Sequence, residues 1–430
     1  MSSNADIGGS ENFKVPEATG LAFAVGFYFS FRIALEFVSV RVMGTEPRTG
    51  AEITLAFNLL FLLLVCFHSL GYAKRTFGSM LRLSTLRWVL AFLVFSFCSL
   101  AWSGTVSLAT SAAYWCGMAA DVAIVVVLLR TGSVTGVSHS LMKGFILAAC
   151  CIALIAWIMP AQSDLRLGDE EFFNTNQIGN LCAFAIFLAQ YLMRRKEGKW
   201  GFAILLLALT LIRSLSKTTL VAFLLSESFL VIQDRYISRK SKILLTAATM
   251  LAVLIFWGLF EAYYGIYTTA GNQAETLTGR TAIWAYVFNA ALEQPWIGHG
   301  FDAMWKVIPP FGSDQFEARH AENELLQQFY AYGVVGICML IGLYGSLYRQ
   351  IRRPPQDPLK LVFRSILLFV IIRGLAEAEP FDLLLPLWSI VLISLLVEHA
   401  RAMDYDAVAT LFTRRTGAVY LDTLPQTGKI

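Results

Sequence analysis

The sequence predicts an all-α polytopic membrane protein of about twelve transmembrane helices. Three observations carry that expectation. The chain is 57% hydrophobic and only 15% charged, where an ordinary soluble domain carries about 25% charged residues. Apolar stretches of bilayer length, about 20 residues each, recur along nearly all of it. The basic residues between them concentrate in alternate connections, as the positive-inside bias requires.

Taken in order, the apolar segments fall near 17–40, 51–72, 88–102, 106–129, 142–160, 175–193, 199–213, 217–233, 242–260, 323–348, 361–377 and 381–398. The third and fourth form a hairpin broken at Trp102-Ser103-Gly104, and the seventh and eighth another, broken at Arg213-Ser214-Leu215-Ser216-Lys217. Residues 1–16 are polar and lack a basic n-region ahead of a short apolar core, so the first segment reads as a retained helix. Basic connections contain Lys74, Arg75, Arg82 and Arg87; Arg130 and Lys143; Arg194, Arg195, Lys196 and Lys199; Arg235, Arg239, Lys240 and Lys242; and Arg349, Arg352, Arg353 and Lys360. Those between are acidic or mixed, as at Asp164, Asp169, Glu170 and Glu171, or at Arg41 and Arg48 with Glu46. Basic loops face the cytoplasm. The expected organisation is a cytoplasmic tail over 1–16, nine helices over 17–260, an extracytoplasmic loop over 261–322, three helices over 323–398 and a cytoplasmic tail over 399–430.

The long loop contains an amphipathic stretch, Arg280 to Leu292, with Ile283, Trp284, Val287, Phe288 and Ala291 on one helical face. The turn-forming sequence Gln294-Pro295-Trp296-Ile297-Gly298-His299-Gly300 then ends it. Loops of this length are more often functional than idle. A net charge of +4 over 430 residues is loop bias, with no nucleic-acid footprint. The seven cysteines all fall in apolar segments without metal-type spacing to histidine, so neither a disulfide framework nor a metal site is expected.

Cations near the outer face run against the positive-inside bias: Arg213, Lys217, Arg280, Arg319 and Arg373, with Lys306 and Arg166 less clearly placed. A charge near hydrocarbon costs roughly 2.5–3.5 kcal/mol on insertion scales, so each needs a partner or ligand. A pyrophosphate would suit such a cluster. Snorkelling to head groups or pairing with a nearby carboxylate is the plainer reading of any one of them. Arg373 with Glu377, and Arg32 with Glu36, stand four apart on helices and are expected to neutralise each other. Asp121 and Glu227, inside apolar helices, are the candidates for a proton path. In His320-Ala321-Glu322-Asn323, His320 or Glu322 is a candidate general base, while Asn323 also reads as a helix cap.

Several segments together resemble the O-antigen ligase and polymerase superfamily, which includes WaaL-type ligases, Wzy-type polymerases and ExoQ-like exopolysaccharide polymerases. They are Thr278-Gly279-Arg280-Thr281-Ala282-Ile283-Trp284, Pro295-Trp296-Ile297-Gly298-His299-Gly300, His320-Ala321-Glu322-Asn323-Glu324-Leu325-Leu326-Gln327 and Tyr332-Gly333-Val334-Val335-Gly336. Their order resembles the family's G-R-x-x-x-W, P-x-x-G-x-G, H-x-H-N-x-x-L-Q and G-x-x-G series. Upstream echoes are Trp102-Ser103, Asn174-Thr175-Asn176-Gln177-Ile178-Gly179 and Ser214-Leu215-Ser216-Lys217-Thr218.

The resemblance implies a glycosyltransferase of the bacterial inner membrane. Such an enzyme takes a glycan from undecaprenyl pyrophosphate to a sugar hydroxyl, without cofactor or metal. Arg280 matches the family's G-R arginine, and Lys217 stands where ligases commonly have arginine; lysine there resembles the ExoQ-like branch. Arg213, Arg319 and Arg373, with Asn323 and Trp284, complete the expected pyrophosphate and glycan contacts. One departure matters: the second histidine of H-x-H-N is Glu322 here, so His320 or Glu322 must serve as base. Polymerisation of lipid-linked repeat units is the leading expectation, with the bilayer, a chain-length regulator and export proteins as partners. Ligation to another acceptor is the alternative. A transporter or flippase of lipid-linked sugars would show repeated halves with broken helices at the midplane, whereas the polar and aromatic residues here gather in one outer loop.

Overall fold

The computed structural model describes residues 19–70, 80–160, 162, 165–169, 173–234, 238–255, 257–258, 261, 277–305, 319–354 and 358–402. All regular structure among them is helical. α1 (Thr19–Phe37) runs into a π-helical turn at Val38–Val42, followed by α2 (Pro47–Ser69), α3 (Ser84–Ser99), α4 (Leu108–Thr131) and α5 (Val134–Ile158). Then come α6 (Thr175–Arg194), α7 (Gly201–Ser214), α8 (Lys217–Gln233), α9 (Arg239–Ile255), α10 (Leu277–Ala291), α11 (Glu324–Arg352) and α12 (Pro358–Arg373), with α13 at 387–402.

Hydropathy locates most of these within a few residues, and the misses have local causes. α5 starts at Val134, well before the expected 142, because Ser133 caps it by accepting from the Gly136 amide at 3.2 Å. α13 starts six residues later than expected, after Pro386, whose ring suits a helix start. Asp382 there accepts from the Leu383 and Leu387 amides, at 2.7 Å and 3.3 Å. Among the described residues five stretches are long and apolar enough to cross a bilayer: Thr19–Val42, Thr49–Ser69, Leu108–Thr131, Val134–Ile158 and Glu324–Arg352. With its apolar helices the chain is a multi-pass membrane protein.

One contiguous hydrophobic core joins the helices. α1 lies directly on α5, where Gly26 meets the Leu141 backbone and Gly144 meets the Phe23 backbone with no room for a Cβ at either. Small residues permit this close approach where lipid offers no hydrophobic drive. α2 packs on α4, α3 on α11, α6 on α5 and α7, and α8 on α12. A second, smaller core forms where Ile283, Val287 and Ala291 of α10 pack on Ala303, Met304, Ala321 and Tyr330. That is the expected amphipathic face, except that Phe288 is exposed and meets Phe329 at 6.1 Å.

Two expectations for intramembrane charges change. Arg32 reaches Asp121 of α4 at 2.7 Å, where pairing with Glu36 on its own helix was expected. A partner on a neighbouring helix ties two elements together and neutralises a second buried charge. Glu227 accepts from the Gln190 side chain at 2.8 Å, so both carboxylates considered for a proton path have a structural partner.

The ends of the bundle differ in charge. At one end Arg194 meets Asp234 at 2.9 Å and Lys143 meets Glu197 at 2.7 Å, close to where α6 ends and α8 ends. Nearby connections carry Arg352, Arg353 and Lys360. The starts of α6, α8 and α11 and the end of α12 converge at the other end. Arg41, in the first expected outer connection, meets Asp169 of the third at 3.2 Å. Lys74, Arg75, Asp164, Glu170, Glu171, Arg235 and Lys306 lie outside the described residues.

Candidate active site

The site begins at the starts of α6, α8 and α11, of which α6 and α11 carry side-chain caps. Asn174 caps α6 by accepting from the Asn176 amide at 2.7 Å, and Thr175 donates to the Ser214 carbonyl at 2.6 Å. The tight turn into α8 passes through Leu215 in a left-handed conformation, φ 57°. Ser216 then donates to the Asn176 side chain at 2.8 Å. The first turn of α8 is thereby fixed against the first turn of α6, presenting Lys217, Thr218 and Thr219 at its mouth.

Arg280 reaches this mouth from the first turn of α10. Its Nη1 donates to Thr218 Oγ1 at 3.2 Å, and its Nη2 lies 3.1 Å from Glu377 Oε1 and 3.2 Å from Glu322 Oε2. Its Nε is buried with no hydrogen-bond partner among the described residues. Glu377 Oε1 also accepts from Asn176 Nδ2 at 3.1 Å. Arg373, only 2% exposed in its side chain, sits 3.9 Å from Glu377 and 3.8 Å from Glu379, with Nε 3.4 Å from Thr219 Oγ1. Its Nη1 likewise has no hydrogen-bond partner among the described residues. Guanidinium carries five N–H donors, so both arginines hold carboxylates and keep donors in reserve.

His320 and Glu322 stand beside this pair. His320 Nδ1 accepts from the Glu322 amide at 3.3 Å and lies 3.7 Å from the Glu322 carboxylate. Burial pushes the His320 imidazole below the ordinary histidine range, against the raising effect of Glu377 and Glu379. Trp284 donates to the Glu322 carbonyl at 3.2 Å. Glu322 itself takes a left-handed conformation, φ 51°, an uncommon state for a residue with a Cβ that is often found at functional sites. Asn323 caps α11, accepting from the Leu326 amide at 2.9 Å, and its side chain donates to the Leu375 carbonyl. The next residue, Glu324, is buried and accepts from the Leu384 amide and Tyr344 hydroxyl, each at 2.9 Å. This anchors the 374–386 segment, and with it Glu377 and Glu379, beside His320.

The glycine-rich segments build the frame. α11 is interrupted at Gly333, φ 63° and ψ −154°. There the chain exchanges backbone hydrogen bonds with Pro295–Gly300: His299 to Tyr330 at 2.9 Å, Gly300 to Ala331 at 2.8 Å and Val334 to Pro295 at 2.8 Å. A Cβ on Gly333 would strike the Trp296 backbone. Upstream, Ser103 donates to the Phe301 carbonyl at 2.6 Å and Ser99 accepts from its amide at 3.0 Å, so the Trp102-Ser103 segment clasps the same loop. His299 stacks on Tyr330 at 4.5 Å and contacts the Ala290 carbonyl at 2.9 Å, a joint between α10 and α11.

The structure therefore brings together Arg280, Arg373, His320, Glu322, Trp284 and Asn323, with Lys217 exposed at the same helix start. It places Arg213 and Arg319 apart from that network. Arg213 donates to the Leu165 carbonyl at 2.5 Å, tying down the 165–169 segment, and Arg319 stacks over Trp305 at 5.5 Å. Arg166 is buried. Sequence reasoning missed the central part of Glu377, which was paired only with Arg373, and the parts of Asn176 and Thr218. Both polar residues lay inside segments singled out as echoes of a motif, which was the available signal.

Residues 202–341 match the family described as O-antigen ligase. The chain is 24% identical over 387 residues to the exopolysaccharide production protein ExoQ of Rhizobium meliloti, covering 82% of this chain and 83% of that protein. It is also 24% identical over 171 residues to an O-antigen ligase of Pseudomonas aeruginosa, covering 40% and 39% of the two chains. The matched region contains Lys217, Arg280, His320 and Glu322, and these findings bear out the resemblance to the O-antigen ligase and polymerase superfamily.

Proposed function

We propose that the chain is an inner-membrane polysaccharide polymerase of about twelve spans, with both termini cytoplasmic and the Arg280 end of the bundle outside. It joins undecaprenyl-pyrophosphate-linked repeat units outside the cytoplasm. The observation that carries this reading is Arg280: a mostly buried guanidinium shared between two carboxylates and a hydroxyl, with Nε left over. Five N–H donors exceed what two carboxylates and one hydroxyl take up. Here the donor pyrophosphate takes the spare donors of Arg280 and Arg373, with Lys217 as a further cation.

His320 is the better base of the two candidates. Its lowered pKa keeps the imidazole neutral at neutral pH, whereas the Glu322 carboxylate is already engaged by Arg280 at 3.2 Å. Glu322 then stands in for the family's second histidine: with the acceptor bound, Nδ1 carries the proton and turns from the Glu322 amide, which donates to it here at 3.3 Å, to the Glu322 carboxylate 3.7 Å away, leaving Nε2 to take the acceptor proton. The acceptor oxygen bonds to the anomeric carbon of the donor, and the bond from that carbon to the pyrophosphate oxygen breaks. Its electron pair leaves with undecaprenyl pyrophosphate, whose growing charge falls on Arg280 and Arg373. Export and chain-length proteins are the expected downstream partners.

ExoQ is named for exopolysaccharide production and is similar over most of both chains, which favours polymerase over ligase. Mass spectrometry of undecaprenyl-linked glycans in a strain lacking this chain tests the reading. Single repeat units on the carrier with no polymer are the expected result. Long carrier-linked chains would make it a ligase, and an unchanged profile would refute both.

A further inference from the structure

A second cluster adjoins Arg319, the chain neighbour of His320, and is lined by α4 and the segments around 302 and 381. Tyr114 and Phe381 stack nearly parallel, ring centroids 3.9 Å apart and planes 19° apart. Arg319 lies over the Trp305 ring at 5.5 Å. Asp302 is held at φ 56°, and its Oδ2 accepts from Ser111 at 2.7 Å. Its Oδ1 makes no hydrogen bond among the described residues. Glu36, Asp302 and Arg319 all lie within electrostatic reach of the Tyr114 hydroxyl. Tyr114, Phe381, Trp305 and Asp302 are half-buried and Arg319 is exposed.

Among the described residues Tyr114, Phe381 and Asp302 make no hydrogen bond to the Arg280 network, and Arg319 is the chain neighbour of His320. Planar aromatic faces beside a fixed carboxylate and a guanidinium match the chemistry of a sugar ring. Its C–H faces pack on aromatic planes, and its hydroxyls donate to carboxylates or accept from arginine. We infer that Tyr114, Phe381, Trp305, Asp302 and Arg319 form the subsite for the acceptor sugar, presenting its hydroxyl to His320 from the side opposite the donor pyrophosphate. Asp302 Oδ1 accepts from an acceptor hydroxyl, and its Ser111 bond and constrained backbone set the direction of that contact. This inference rests on the transferase reading and adds where the second substrate binds.

The test uses the full chain in lipid nanodiscs. The donor is the undecaprenyl-linked repeat unit extracted from a strain lacking this chain, and the acceptor is the soluble oligosaccharide released from it by mild acid. Asp302→Asn, which keeps the shape and the Ser111 contact, raises the acceptor KM roughly tenfold while leaving the donor KM within about twofold. Tyr114→Ala does the same if it melts like the wild type, and Asp302→Asn decides alone if it does not. An unchanged acceptor KM in Asp302→Asn, or an equal rise in both KM values, overturns the subsite. A wild type that makes no product from the extracted donor instead refutes the transferase reading itself, a result distinct from active variants with unaltered KM.

Discussion

The two ends of the bundle handle charge in opposite ways. At the end bearing Arg194 and Lys143 the ion pairs are short, 2.9 Å to Asp234 and 2.7 Å to Glu197. Near Glu197, the Lys143 ammonium holds its carboxyl below the usual range. At the end bearing Arg280 the contacts are longer, 3.1–3.9 Å, and shared among Arg280, Arg373, Glu322 and Glu377. N–H donors are left unfilled on both arginines. Short pairs hold elements together, whereas a shared network with spare donors can accept an anion without first being dismantled. Arg280 and Arg373 already carry carboxylates, the plainer reading of an outer cation, and those carboxylates aim them.

Removing the shared network's arginine or the base beside it should have the largest effects. Arg280→Ala is expected to lower polymer formation roughly 10²–10³-fold, the loss typical of one oxyanion-stabilising donor, with membrane insertion unchanged by fractionation and blotting. His320→Gln should cost roughly 10²–10⁴-fold, as for a general base. The pH profile separates His320 from a merely structural residue. Because its pKa lies below the ordinary value of about 6.5, activity should hold through neutral pH and fall only as acid protonates the imidazole. Glu322→Gln should keep polymer but shift that acid limb, since it alters the group facing Nδ1.

Gly333→Ala sharpens the comparison from the frame. A side chain there would be held at φ 63°, ψ −154°, an essentially glycine-only conformation that costs roughly 1–3 kcal/mol, and would strike the Trp296 backbone. A lower melting temperature and weaker polymer formation together are the expected outcome. Glu197→Gln, at the opposite end, should change polymer yield by no more than about twofold, because its pair is surface-exposed and such pairs contribute about 0–1 kcal/mol.

Much of this was legible from local pattern. The buried stripe of α10, Ile283, Val287 and Ala291, follows from helical spacing, and Asn323 reads as a cap because its spacing to Leu326 is local. The hub at Glu377 was not legible in the same way. Its partners Arg280 and Asn176 stand 97 and 201 residues away, and no short-range period encodes which of several carboxylates a fold will bring to an arginine. Arg32 shows the same limit: its helical neighbour Glu36 was visible, but Asp121, 89 residues on, takes the contact. Arg213 was singled out as an outer cation, and only the folded chain reveals the Leu165 carbonyl it ties down.

The central claim is that the Arg280 network holds a lipid-linked pyrophosphate. The most direct measurement is binding of undecaprenyl pyrophosphate to the purified chain in nanodiscs, comparing wild type, Arg280→Ala and Glu197→Gln. Saturable binding by wild type and Glu197→Gln, weakened about a hundredfold or more in Arg280→Ala, is the predicted result. Equal binding by all three proteins would contradict it.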